Sequence, residues 1–177
     1  MRVHIATDHA GMELSGYVIR QLTADGYDMV DHGPVVYDAV DDYPAFCIHA
    51  AQAVMADRAD GLDSLGIVLG GSGNGEQIAA NKVPGVRAAL AWSVATAQLA
   101  REHNDAQVVA LGGRQHTPEE GLEIIRAFLS TPFSGDQRHV RRINQIAEFE
   151  NSGDIPGLLA GVQARPFAAE EPGPAGA

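Results

Sequence analysis

The sequence is short of several features that would each point to a different class of protein. Cys47 is the single cysteine among 177 residues, so an intramolecular disulfide is excluded and a reducing cytoplasm is the expected compartment. No apolar run has the length of a membrane span, and the start does not resemble a secretory signal, so we expect no membrane partner. No spacing of His, Cys and Asp resembles a metal site, and none is predicted.

Lysine is almost missing as well, with Lys82 alone, and the formal net charge is −11. This charge argues against nucleic acid as a partner. Almost all positive charge is arginine, whose planar fork binds carboxylate and phosphate. Arg138 and Arg142 are four residues apart and share one helix face, which indicates either a phosphate site or a solvated surface.

Strand and helix patterns alternate along the chain, which predicts an α/β fold with an open, five-stranded parallel sheet. The predicted strands are Arg2–Thr7, Asp28–Asp31, Leu65–Leu69, Val86–Ala91 and Gln107–Leu111. Helices are predicted around Leu14–Leu22 and over Ala45–Ala56, Gln77–Lys82, Ser93–His103, from Thr117 and over about Asp136–Phe149. One domain over residues 1–150 follows, and residues 151–177, rich in Pro, Gly and Ala, are predicted to be a disordered tail.

Two of these helices carry more specific expectations. Thr117 and Glu120 have the spacing of a capping box, with Pro118 as the first helical residue. The last helix is expected to bury Val140, Ile143 and Ile146 or Ala147 on one stripe.

Gly70–Glu76 forms a glycine-rich loop directly after the third predicted strand. Four glycines in six residues allow backbone N–H groups to converge on one point beside a helix N-terminus. The loop matches neither the dinucleotide fingerprint nor the phosphate-binding P-loop. Because Glu76 would repel a resident phosphate, we interpret the loop as a cradle for a transient oxyanion beside a proton-transferring carboxylate.

Loops that follow parallel strands meet at one edge of the sheet, which predicts a single site there. Asp8 and His9 follow the first strand, and Arg114 follows the fifth. Taken singly, Asp8 reads as a helix cap and His103-Asn104 as a helix end. Four other histidines are predicted to be structural: His4, which lies in a strand, and His32, His49 and His116, which show no partners in the sequence. His139 is assigned no role.

Taken together, the motifs resemble type-B ribose-5-phosphate isomerases over residues 1 to about 150. They are Asp8-His9-Ala10-Gly11, Asp42-Tyr43-Pro44, Gly71–Glu76 with Ala79–Lys82, Arg87-Ala88, His103-Asn104, Gly112-Gly113-Arg114 and the Arg138/Arg142 pair. One branch of that family has a catalytic cysteine just before the glycine loop, where this chain has Gly70. The chain instead resembles the branch that uses a glutamate after the loop, here Glu76.

The resemblance implies a Rossmann-like α/β/α sandwich and a homodimer or dimer of dimers with active sites at the subunit interface. It implies interconversion of D-ribose 5-phosphate and D-ribulose 5-phosphate, in the non-oxidative pentose phosphate pathway, without a metal or organic cofactor. The implied roles are a base (Glu76), a proton relay (Ser72), ring opening (His103, Asp8), enediolate binding (Gly71, Gly73, Asn74, Gly75), sugar contacts (Tyr43, Asn104) and phosphate contacts (His9, Arg114, Arg138, Arg142).

Two alternatives stay open at this point. An isomerase of a phosphorylated hexose, such as allose or galactose 6-phosphate, would use the same chemistry in a longer pocket. A non-catalytic sugar-phosphate sensor would keep the arginines but would not need both Ser72 and Glu76.

Overall fold

The computed structural model describes residues 1–157 and contains a five-stranded, all-parallel sheet in the order β2-β1-β3-β5-β4. The predicted α/β fold is confirmed. The strands are β1 (Arg2–Thr7), β2 (Asp28–Asp31), β3 (Ser64–Gly70), β4 (Ala88–Leu90) and β5 (Val108–Gly112). The helices are α1 (Met12–Ala24), α2 (Tyr43–Ala59), α3 (Asn74–Ala80), α4 (Val94–Asn104), α5 (Pro118–Ser130) and α6 (Gln137–Ser152).

Helices cover both faces of the sheet and give three layers. One face packs large side chains such as Phe128 of α5 and Leu22 of α1 against Ile5 and Ile67. The other face is built from small residues, with Ala50 and Ala51 of α2 against Val68 and Ala110. Because every residue of β3 is buried, the strand that leads into the glycine loop is fixed on both faces.

Several local predictions are confirmed. Glu120 donates its N–H to Thr117 Oγ1 at 3.2 Å, and the Glu120 carboxylate accepts the Thr117 N–H at 2.9 Å, which is the predicted capping box. β4 is shorter than predicted. Helix α3 begins at Asn74 rather than Gln77, because Gly73 adopts φ +81° and ends the loop earlier.

The prediction for α6 is wrong in one respect. Val140 is 38% exposed and Ile146 is 53% exposed, and His139 is the buried residue of this helix. Ile143 and Ala147 are half-buried, so this chain covers the predicted apolar stripe only in part. The helix also runs to Ser152, two residues past the predicted domain boundary, and residues 158–177 of the predicted tail lie outside the described residues. No helix in residues 1–157 has the length and apolar character needed to cross a membrane.

Candidate active site

The carboxyl ends of β1, β3 and β5 meet at one edge of the sheet, where a cavity of about 540 Å³ opens. As predicted, the loops after the three strands contribute to it together. Its lining is Asp8, His9, Ala10, Tyr43, Gly71, Ser72, Gly75, Glu76, Arg114 and Gln115.

Glu76 is the central acidic group of this cavity and is 4% exposed. Its carboxyl lies directly over Gly70, so close that a β-carbon built there would overlap the carboxyl oxygen and carbon. Burial raises the pKa of Glu76 and the nearby Asp8 carboxylate raises it further, against backbone N–H groups of Glu76 and Gly73 that lower it. A carboxyl with a raised pKa, held at a cavity wall, is suited to accept and return a proton.

The glycine loop is arranged around this carboxyl. Ser72 Oγ accepts hydrogen bonds from the backbone N–H of Asn74 at 3.3 Å and from its side-chain amide at 3.2 Å. Tyr43, at the start of α2, lies so close over Gly75 that a β-carbon there would overlap its ring. The loop therefore presents Ser72, Gly71 and Gly75 to the cavity, whereas Gly73 and Asn74 do not line it.

Asp8 and His9, which follow β1, also line the cavity. Asp8 is buried and its carboxylate accepts the Ala10 N–H at 2.9 Å, so the predicted cap is present. His9 is held by Asp41, whose Oδ1 accepts from His9 N at 3.0 Å and pairs with His9 Nδ1 at 2.7 Å. Burial raises the pKa of Asp41, but these hydrogen bonds outweigh burial and the pKa ends below its ordinary value.

Sequence reasoning missed Asp41. The acidic pair Asp41-Asp42 ahead of Tyr43 was the available signal in the sequence. That pair does not reveal that Asp41 contacts His9, which lies 32 residues earlier. With His9 Nδ1 bound to Asp41, Nε2 is the ring atom left for a ligand. Asp8, His9 and Asp41 also offer one ligand atom each within 4.8 Å of one another, and His9 Nδ1 is engaged by Asp41.

Arg114 supplies the positive charge of the cavity and is exposed. Its N–H donates to the Gly71 carbonyl at 3.3 Å, which ties it to the glycine loop. The cavity is thus lined both by groups that can donate to an anion, the Arg114 guanidinium and the His9 ring, and by the carboxyls of Asp8 and Glu76. A small molecule with an anionic group and a proton to lose fits this polarity.

Six predicted site residues do not line this cavity: Gly73, Asn74, His103, Asn104, Arg138 and Arg142. The last four lie at α4 and α6, where the His103 and His139 rings face each other, tilted by 37°, at a centroid distance of 4.3 Å. Ser134 Oγ lies 2.8 Å from His139 Nδ1 and holds that pair from behind. Arg138 is paired at 3.5 Å with Asp136 and remains largely exposed.

Comparisons with known proteins agree with this geometry. A family model described as ribose/galactose isomerase matches residues 3–146. A ribose-5-phosphate isomerase B from Mycolicibacterium paratuberculosis is 59% identical over 156 residues, covering 88% of this chain and 96% of the relative. The solved ribose-5-phosphate isomerase B of Clostridium thermocellum is 38% identical with a TM-score of 0.80, covering 87% and 100% of the two chains.

A second solved relative was studied with a ligand. It is the ribose-5-phosphate isomerase B of Mycoplasma genitalium with bound ribulose-5-phosphate. It is 40% identical to this chain with a TM-score of 0.79, and the match covers 85% of this chain and 97% of that one.

Proposed function

The chain belongs to the ribose/galactose isomerase family, and from that premise we propose that it interconverts D-ribose 5-phosphate and D-ribulose 5-phosphate, with Glu76 as the base. The observation that carries the proposal is the buried Glu76 carboxyl beside Ser72 and the glycine loop. We further propose that it works in the cytoplasm, within the non-oxidative pentose phosphate pathway.

The chemistry requires a base beside donors for an oxyanion. Aldose–ketose isomerisation removes the proton from C2 next to the carbonyl and returns it to C1 through an enediolate. Glu76 takes and returns that proton. Backbone N–H groups of Gly71, Gly73, Asn74 and Gly75 stabilise the enediolate oxygens, an effect worth about 3 kcal/mol per donor. Ser72 moves a proton between the two oxygens.

The phosphate is assigned to the part of the cavity that Arg114 and His9 line. His9 Nε2 and the Arg114 guanidinium are the groups of this chain that bind it, and Asp41 orients His9. Tyr43 lines the cavity and contacts the sugar. Asp8 assists ring opening, in which a hydroxyl proton must be moved before C2 becomes acidic.

The remaining contacts are proposed to come from a second copy of the chain. The exposed apolar residues Ile146 and Phe149 of α6 give a face that a partner subunit would cover. In such a homodimer, or dimer of dimers, His103 would open the sugar ring, Asn104 would bind sugar hydroxyls, and Arg138 and Arg142 would bind phosphate across the interface.

Subunit mixing tests this arrangement. We expect Glu76→Gln and Arg142→Ala homodimers each to be impaired at low substrate. Hybrids formed by co-refolding would combine Glu76 of one chain with Arg142 of the other in one of their two sites, so activity should return to roughly a quarter of wild type. If both residues act within one chain, mixing will restore nothing.

The reaction is tested by measuring ketose formation from ribose 5-phosphate and from allose 6-phosphate, with and without EDTA. We expect turnover of ribose 5-phosphate that EDTA does not reduce. Preference for the hexose phosphate would reassign the substrate, and binding without turnover of either sugar would contradict the isomerase.

A further inference from the structure

Three histidines that the mechanism does not use form a connected row between β1, the end of β2 and α2. His4 Nδ1 lies 2.8 Å from His32 Nε2, and His32 Nδ1 lies 3.2 Å from His49 Nδ1. At the inner end, His4 Nε2 lies 2.9 Å from Asp57 Oδ2, and Arg2 Nη1 pairs with Asp57 Oδ1 at 3.1 Å. The prediction that His32 and His49 have no partners is therefore wrong.

The inner contacts orient the three rings. A hydrogen bond from His4, and secondarily the charge of Arg2, hold the pKa of Asp57 below its ordinary value, so the Asp57 carboxylate accepts from His4 Nε2. His4 Nδ1 faces His32 Nε2, which leaves His32 Nδ1 as the ring nitrogen on the side of His49. With a metal ion bound at His32 Nδ1, His32 would carry its proton on Nε2 and donate it to His4 Nδ1.

We propose that His32 Nδ1 and His49 Nδ1 bind one divalent transition-metal ion, such as Zn²⁺, Ni²⁺ or Cu²⁺. Two nitrogens that each lie 2.0–2.1 Å from a tetrahedral Zn²⁺ are about 3.3 Å apart, close to the 3.2 Å separation of these two atoms. Because His49 is exposed, its ring can turn and move its own proton to Nε2, and water completes the coordination.

The row behind His32 has the form of an outer coordination shell. Metal-binding histidines commonly donate their second N–H to a partner that ends in a carboxylate, which orients the ring and raises its basicity. Here that partner is the buried His4, with Asp57 behind it. The nearby Asp31 carboxylate and the net charge of −11 also favour a cation.

The site is separate from the candidate active site, since none of the three histidines lines that cavity. His32 follows β2, an edge strand of the sheet, and His49 lies on the outward side of α2. A bound ion would therefore link the edge of the sheet to α2 and would take no part in the isomerisation.

Isothermal titration of the tag-free, EDTA-treated full chain with Zn²⁺, together with the EPR spectrum of the Cu²⁺ complex, tests the proposal. We expect one ion per chain, nitrogen coupling in the Cu²⁺ spectrum, and at least a tenfold loss of affinity in His49→Ala, whose exposed site tolerates truncation. Asp57→Asn should weaken binding by ~10-fold through His4, and His9→Ala should leave binding intact.

Two results would overturn the proposal. One is the absence of binding at millimolar Zn²⁺. The other is binding that survives His49→Ala but is lost in His9→Ala, which would move the ion to the Asp8–His9–Asp41 group. Circular dichroism of each variant shows that a loss of binding is not a loss of fold.

Discussion

Replacing Gly70 with alanine places a methyl group where the Glu76 carboxyl now lies. The overlap involves the carboxyl oxygen and carbon, and the Glu76 Cγ would stand 3.0 Å from the new atom. Ordinary contact begins near 3.4 Å, so the carboxyl must retreat by at least about 1 Å, and a misplacement of that size costs about 100-fold in rate. We therefore expect kcat for ribose 5-phosphate to fall about 100-fold, with KM changed only slightly because the phosphate contacts are untouched.

Gly66→Ala is the matched control, because Gly66 lies on the same strand and its β-carbon would also be crowded, at 3.0 Å from a Val54 methyl. It should lower the melting temperature while the folded enzyme keeps its kcat. Initial rates of ketose formation and thermal unfolding separate the two effects.

A double-mutant cycle gives the sharpest form of this experiment. If Gly70→Ala acts by displacing Glu76, then adding it to Glu76→Gln should cost almost nothing further. The reasoning would be refuted if the kcat losses of the two single variants multiplied in the double variant, or if Gly70→Ala kept kcat within threefold of wild type.

Two other predictions concern titration. Burial, reinforced by Asp8, raises the pKa of Glu76, and a base works only when it is ionised. In the pH profile, kcat should therefore fall toward low pH with a midpoint above 4.5, the ordinary pKa of Glu. Asp8→Asn should move that midpoint to lower pH, and an unchanged midpoint would contradict the assignment. Burial, followed by the charges of Glu76 and Asp8, raises the pKa of Cys47 to about 12. Iodoacetamide should therefore not modify the native enzyme at pH 8 but should react after denaturation. Rapid alkylation of the native enzyme would contradict this prediction, because it would show that the thiol is accessible.

Much of the fold could be predicted because its signals are local. The apolar run before Gly70, the glycine loop and the Thr117 capping box each depend on residues within one short segment. The position of the cavity at the carboxyl edge of the sheet could be predicted because all the strands were expected to be parallel. The residues gathered there could therefore be named before their distances were known.

The parts that could not be predicted depend on contacts between distant segments. Asp41 reaches His9 across 32 residues, and His4 reaches His32 across 28. The stripe of α6 was recognised, but periodicity does not tell whether a helix packs on its own chain or on a partner. The close approach of the Glu76 carboxyl to Gly70 is likewise visible only in the structure, because the sequence shows only that residue 70 is a glycine.

The central claim is that Glu76 is the base, and the isosteric Glu76→Gln variant tests it most directly. Single-turnover rates with ribose 5-phosphate should fall by about 10²–10⁴-fold, because the amide cannot accept the C2 proton. Calorimetric affinity for the same sugar phosphate should stay within a few-fold of wild type. A Glu76→Gln enzyme that still forms ribulose 5-phosphate at a near-normal rate would contradict the account.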